Sequence, residues 1–361
     1  MRPEAARRLL NALLAVAIAV GLLIVTSGDE GATSPGPRRR GEATGLARSH
    51  LQREEVSAAL RRGVRRAAAL GGDVEAALAF EPSLAPEVVA DPGSGGERWM
   101  RMWSMSKVVT LVTLLRAMGW GEKRGKPLSP ELRDALQGAI RRSENCRQRR
   151  VVIELQEQLG STEAVRAAME KVLRMAGAKG RISEEVEAPD PSCLEYLEGQ
   201  DEIEDPLADG LLLGTSTWRA RDAARFVEAL GAGLYGQALG EQVLDLMRAP
   251  KEVSREVAPG ELTAPLDWGA GHALAGLKPA YKAGWGGTQQ GAFLVGQIVS
   301  LELPGFGPLG LAVMFHPDLQ PPLDDPGRTA GPEALELVME SVGSALKGTE
   351  TGGFSRIPGG W

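Results

Sequence analysis

Histidine, cysteine and basic surplus are all scarce in this chain, and each scarcity excludes a chemistry. The three histidines, His50, His272 and His316, are scattered over 361 residues, and none stands at the H-x-x-x-H or paired-cysteine spacing of a zinc site. No metal and no other cofactor is expected. The two cysteines, Cys146 and Cys193, leave three choices: one disulfide, two buried thiols, or a reactive thiol. Nothing in their surroundings ties either to a histidine that would activate it, so a cysteine nucleophile is disfavoured. With 41 Lys and Arg against 47 Asp and Glu, the formal charge is −6, and the basic footprint of a nucleic-acid binder is missing. Internal repeats are absent too.

Long apolar runs are nearly absent as well, with one exception at the start. Residues 9–26 are almost continuously apolar and follow Arg2, Arg7 and Arg8, the pattern of a signal peptide or an uncleaved membrane anchor over residues 1–27. Either reading puts the rest of the chain outside the cytoplasm, at the cell membrane or secreted, where a Cys146–Cys193 disulfide is permitted. Residues 28–45, rich in Gly, Pro, Ser and Arg without apolar period, read as a flexible linker. The last twelve residues, 350–361, read as a disordered tail. What remains, at 43% hydrophobic content for the whole chain, is enough for a sizeable core.

Within that body the period of the apolar residues changes twice. Residues 46–70 read as a helix with a basic outer face, 73–81 as a first strand and 98–103 as a second. From Ser129-Pro130, a cap followed by proline at the first helical position, the pattern is helical through residue 176, with breaks at Gly160 and Gly177. Strands return at 279–284, 291–303 and 309–316, with a turn signal at 304–308, and residues 332–347 close the body as a helix. Strands from both chain ends with helices between them predict an α/β domain over 46–349. Its sheet part covers about 46–118 and 214–349, and its helical part about 119–213. The nearly continuous apolar stretch 293–303 predicts a sheet covered on both faces, a three-layer α-β-α arrangement.

Chemistry enters at Ser104-Met105-Ser106-Lys107, just ahead of the apolar run 108–115. Positions i and i+3 share a helix face, which sets the Lys107 amine beside the Ser104 hydroxyl, a nucleophile next to its own base. A helix start also supplies unpaired N–H groups for an oxyanion. The pattern alone says little, since Ser344-Ala345-Leu346-Lys347 repeats it on what reads as a solvated helix face. Ser104 differs by two further elements that come after it in the chain: Ser143-Glu144-Asn145, then Lys282-Ala283-Gly284 with Trp285-Gly286-Gly287.

These three elements resemble the S-x-x-K, S-D-N and K-T-G signatures of the penicillin-binding protein and serine β-lactamase superfamily. The resemblance covers most of residues 46–346 and is closest to class A β-lactamases. Gly214-Thr215-Ser216-Thr217, read as opening a helix, is similar to the Thr-rich segment after that family's Ω-loop. Two signatures depart from the pattern, with Glu144 for the aspartate and Ala283 for the threonine.

The resemblance implies a mainly antiparallel sheet with an all-α insertion and a serine acyl-enzyme. It makes Ser104 the nucleophile, Lys107 its base and Ser143 the proton carrier to the leaving nitrogen. Asn145 and Lys282 then bind substrate, while the backbone N–H groups of Ser104 and Trp285 form the oxyanion hole beside Ala283 and Gly284. A deacylating glutamate falls within residues 201–205, where Glu202 and Glu204 are both candidates. One arginine of the cluster Arg141, Arg142, Arg147, Arg149 and Arg150 either pairs with a substrate carboxylate or belongs to a solvated face. The expected activity is hydrolysis of β-lactam or D-Ala-D-Ala-type amides, small-molecule or peptidoglycan-peptide in source. A non-catalytic envelope-binding module and an esterase on the same fold are the alternatives. Membrane contact runs through the N-terminal segment, and no feature points to an oligomeric state.

Overall fold

A computed structural model describes residues 39–80, 85–90, 97–184, 215–249, 251, 268–287, 293–303, 307–317 and 327–350. The chain divides into two units, Met1–Arg48 and Ser49–Trp361. Among the described residues no helix is long and apolar enough to cross a membrane; residues 1–27 lie outside them.

In chain order the first elements are helix α1 (Arg39–Ala68), strands β1 (Gly72–Ala79), β2 (Glu87–Ala90) and β3 (Met100–Arg101), and helix α2 (Ser106–Ala117). Helices α3 (Pro130–Gln137), α4 (Asn145–Leu159) and α5 (Thr162–Met175) come next, then strands β4 (Gly180–Arg181) and β5 (Thr217–Trp218). The rest are helices α6 (Ala220–Gly231), α7 (Gln237–Arg248) and α8 (Ala270–Ala273), strands β6 (Ala280–Gly287), β7 (Phe293–Leu303) and β8 (Gly307–Pro317), and helix α9 (Gly327–Glu350).

The five-stranded sheet runs β2-β1-β8-β7-β6 and is antiparallel throughout. Strands from both chain ends meet at its centre, where β1 pairs with β8 from Gly72↔Pro317 to Ala79↔Gly310. Side chains of alternate strand residues go to opposite faces. On one face Val74, Ala76, Leu78, Leu311, Val313 and Phe315 pack under α1 and α9. On the other, Ala77, Ala79, Ile298, Ala312 and Met314 meet α6 and the helical part. Three layers result, as the doubly apolar 293–303 stretch predicts.

Helix α2 is buried along ten consecutive residues, Ser106 to Leu115. Its sequence is apolar all round, which suits a helix surrounded by others. Burying each leucine side chain there contributes about 1.5–3 kcal/mol. The threonines inside it return their hydroxyls to the backbone, Thr110 to the Ser106 carbonyl at 3.1 Å and Thr113 to Val109 at 2.7 Å. Ser129 caps α3 by accepting from the Leu132 N–H, with Pro130 in the first turn, and α4 ends at Gly160 with φ +89°.

Three elements differ from the reading of the sequence. Helix α1 begins at Arg39, inside the stretch 28–45 expected to be a linker, where Arg39, Arg40, Glu42 and Ala43 are good helix formers. Residues 98–103 do not join the large sheet; β3 lies in a second, three-stranded sheet of order β3-β5-β4. Thr217, expected to open a helix, is a strand residue, and α6 starts at Ala220.

Candidate active site

Ser104 sits in a single 3₁₀ turn, Trp103–Met105, that leads directly into α2. Trp103 adopts φ +44°, a left-handed conformation that bulky residues rarely take and that concentrates at functional turns. Among the described residues the Ser104 hydroxyl makes no hydrogen bond, while Ser106 Oγ donates to the Trp103 carbonyl at 2.7 Å and tightens the turn. Lys107 is buried, one turn along.

The loop that faces it is shaped by an irregularity in the backbone. After α3 the chain widens into a π turn over Gly138–Arg142, and Ser143 then takes the left-handed conformation, φ +61°. Such turns recur at functional sites because they re-aim a few residues within a helical path. Here they point the 143–145 segment at α2. Lys107 Nζ donates to the Ser143 carbonyl, to the Glu144 carbonyl at 3.1 Å and to Asn145 Oδ1 at 2.9 Å. Gln148 adds a second tie, its Nε2 donating to Thr110 Oγ1 at 3.0 Å. Beneath the loop Arg142 Nε donates to Glu144 Oε1 at 2.7 Å, and both side chains are buried. A carboxylate at position 144 is therefore tied to the loop that carries it, through Arg142.

Strand β6 closes the third side. Lys282, Gly284 and Gly286 alternate along it, so they share one face. A Cβ on Gly284 would lie 2.8 Å from the Met102 carbonyl oxygen and 3.1 Å from the Met105 nitrogen, and one on Gly286 would lie 2.4 Å from the Trp103 ring. The missing side chains let the strand press against the turn that carries Ser104. Lys282, fully buried, extends from the same face and donates to Ser143 Oγ at 2.7 Å and to the Ala283 carbonyl at 2.9 Å. Two lysine amines thus meet one residue, Lys107 at the Ser143 carbonyl and Lys282 at its hydroxyl.

Among the described residues the backbone of β6 is open on one side, because β6 is the edge strand and pairs only with β7. The Tyr281 carbonyl accepts from Lys251 Nζ at 3.0 Å and the Ala283 carbonyl from Lys282. Backbone groups along an antiparallel strand alternate between its two sides. The series 281, 283, 285 therefore faces the free edge, and the Trp285 N–H with it. The Trp285 indole goes to the opposite face from Lys282, where it meets Trp268 edge-on at 6.4 Å between centroids and packs in the core beneath α9.

Three amines share this region. Burial holds Lys282 well below the usual lysine range, and the charges of Lys107 and Lys251 depress it further. Lys251, which also donates to the Met247 carbonyl at 2.9 Å and lies 4.4 Å from the Tyr281 ring centroid, is pushed down to about 7 by burial and by Arg141. Crowded, poorly hydrated ammonium groups favour loss of protons.

Of the residues singled out by sequence, Lys107, Ser143, Asn145 and Lys282 come together, beside the turn of Ser104 and along Ala283, Gly284 and Trp285. Glu202, Glu204 and Cys193 lie outside the described residues. Cys146 is buried and disulfide-bonded. The arginine cluster is largely engaged within the protein: Arg142 with Glu144, Arg147 with Asp134 at 3.0 Å and Arg150 with Glu154 at 3.6 Å. Lys251 and the Arg142–Glu144 pair went unread in the sequence. The i, i+2 spacing of Arg142 and Glu144 gives no helical signal, and Lys251 reaches the site only through the fold. Among the described residues no group of three or more His, Cys, Asp or Glu is placed to hold a metal ion.

No family model matches the chain, and no curated protein sequence does. Solved structures similar to it are a β-lactamase from Desulfarculus baarsii, the class A β-lactamase from Mycobacterium abscessus and the transpeptidase domain of the FtsI4 D,D-transpeptidase from Legionella pneumophila. The first is 14% identical over 80% of this chain and 97% of its own, with a TM-score of 0.46. The second is 16% identical over 78% and 99%, at 0.43, and the third 13% identical over 81% and 96%, at 0.47.

Proposed function

We propose that this chain is a serine acyl-transfer hydrolase acting on β-lactam or D-Ala-D-Ala-type amides through an acyl-enzyme on Ser104. The observation that carries this reading is the meeting of Lys107 and Lys282 at Ser143, against the turn of Ser104. Acylation needs a base for the hydroxyl, a proton for the leaving nitrogen and donors for the oxyanion. Lys107 takes the Ser104 proton, directly or through water, as the Ser104 oxygen bonds to the carbonyl carbon. The carbonyl oxygen becomes an oxyanion held by the Ser104 N–H at the helix start and the Trp285 N–H on the free strand edge. Ser143 then gives its hydroxyl proton to the amide nitrogen as the C–N bond breaks. The proton is replaced from Lys107, which took it from Ser104 and whose amine lies against Ser143. Asn145 accepts from Lys107 through Oδ1 and binds the substrate carbonyl through its amide N–H₂. Water, activated by Glu202 or Glu204, then hydrolyses the ester.

Ala283 lacks the hydroxyl that the resemblance would place at the substrate carboxylate. A hydrogen bond to a charged group contributes about 1.5–3 kcal/mol, so carboxylate binding rests on the cationic groups instead. An address outside the cytoplasm, through the N-terminal apolar segment, is part of the proposal; the bonded state of Cys146 supports an oxidising compartment. Fluorescent penicillin tests the nucleophile. The wild-type chain is expected to be labelled and Ser104→Ala to show none; equal labelling of the two would refute the role of Ser104.

A further inference from the structure

The small sheet ends beside the site and turns a face outward that the proposed chemistry does not use. Its register sets Arg101 and Arg181 on either side of Thr217, and Met100 and Gly180 on either side of Trp218. Trp218 and Met100 are buried, so Arg101, Thr217 and Arg181 lie on the outer face. Trp99, just before β3, and Trp103, in the 3₁₀ turn just after it, set their rings against these two guanidinium groups.

The two arginines are held in a particular way. The Arg101 guanidinium lies 5.3 Å from the Trp103 ring centroid, and that of Arg181 lies 4.1 Å from Trp99. Among the described residues neither has a carboxylate partner, whereas Arg219 beside them is bound to Asp222 at 2.6 Å and Glu97 at 2.9 Å. A guanidinium stacked on an indole keeps its in-plane N–H groups free and loses little further freedom when it binds a carboxylate through two of them. Two such groups on one face, in a chain whose formal charge is −6, make a local reversal of sign.

We propose that this outer face is a docking strip for an extended, multiply carboxylated peptide. Arg101 and Arg181 stand two strands apart, about 10 Å, a gap that glutamates two residues apart on an extended chain can span, since their side chains share one face. The Thr217 hydroxyl lies between them. A peptide that crosses the strands presents its carboxylates to this face at every second residue, and its backbone amides can meet the Thr217 hydroxyl. The strip ends at Trp103, next to Ser104, so it lies on a route to the nucleophile. That connection rests on the function proposed above; the binding does not.

The test uses the full chain and a fluorescein-labelled octapeptide of alternating glutamate and glycine, read by anisotropy. Saturable binding is expected, weakened at least fivefold by Arg101→Gln and by Arg181→Gln and weakened by added salt, with no binding of a serine–glycine peptide of equal length. Thermal unfolding of each variant at the wild-type temperature confirms its fold; should Arg101→Gln unfold earlier, Arg181→Gln alone decides. Binding that survives Arg181→Gln, or tighter binding of a carboxylated polysaccharide than of the peptide, would overturn the proposal. Penicillin labelling run in parallel keeps the two readings apart: an unlabelled protein that binds the peptide refutes the acylation, and a labelled protein that does not bind it refutes the strip.

Discussion

At the scale of single residues, the account depends on amines kept out of water. Lys251 titrates near 7 in the fold and near the ordinary lysine value of 10.5 when unfolded. Between those values the unfolded chain holds a proton that the folded chain has released, so this group makes stability rise with pH through that window. Lys282 is shifted in the same direction and adds to the same slope. Urea unfolding from pH 7 to pH 10 is therefore expected to show a steeper gain for the wild type than for Lys251→Met, which removes one such group and keeps an apolar stem. Parallel profiles would show that Lys251 is not held neutral. Part of this was readable from sequence. The Ser104–Lys107 spacing and the order of the three motifs picked out residues that the fold brings together, because local spacing survives folding. The turn at Ser143 and the buried Arg142–Glu144 pair were not, since a π turn has no residue signature, Arg142 also fits a solvated helix face and Glu144 reads only as the middle of its motif.

Secondary-structure elements set the distances between those residues. Strand β6 reaches the turn that carries Ser104 because Gly284 and Gly286 leave its inner face bare. Gly284→Ala puts a Cβ 2.8 Å from the backbone oxygen of Met102, which cannot rotate away. Overpacking of this kind costs about 1–3 kcal/mol. The variant is expected to unfold more easily by that amount and to acylate more slowly with penicillin, measured by urea titration and stopped labelling. Gly348→Ala, whose Cβ would meet open space, serves as the control and is expected to change neither. If Gly284→Ala behaves like the control, the strand does not bear on the turn. The long strands β6, β7 and β8 were legible as runs of β-favouring residues, and the breaks at Gly160 and Gly177 as helix ends, where φ is +89° and +69°. The strand read over 98–103 contains β3, while the four-residue β2 and the two-residue strands β4 and β5 were not legible, because so few residues carry no period.

Over the whole molecule, the two chain ends build one sheet and the middle of the chain supplies the loop that faces it. The site forms where these parts meet: Ser104 and Lys107 from the first, Ser143 and Asn145 from the second, Lys282 and Trp285 from the third. This division follows from the sequence, where strand-like runs flank a long helical stretch. The second sheet, formed by three short strands far apart in sequence, depends on closure of the whole fold and left no trace in periodicity. Intact mass spectrometry of the full chain after incubation with a penicillin, followed by digestion and by a drug-free chase, tests the central claim most directly. The account predicts an added mass equal to one whole penicillin, located on the peptide containing Ser104 and absent from Ser104→Ala. An unchanged mass, or an adduct on another residue, would contradict it.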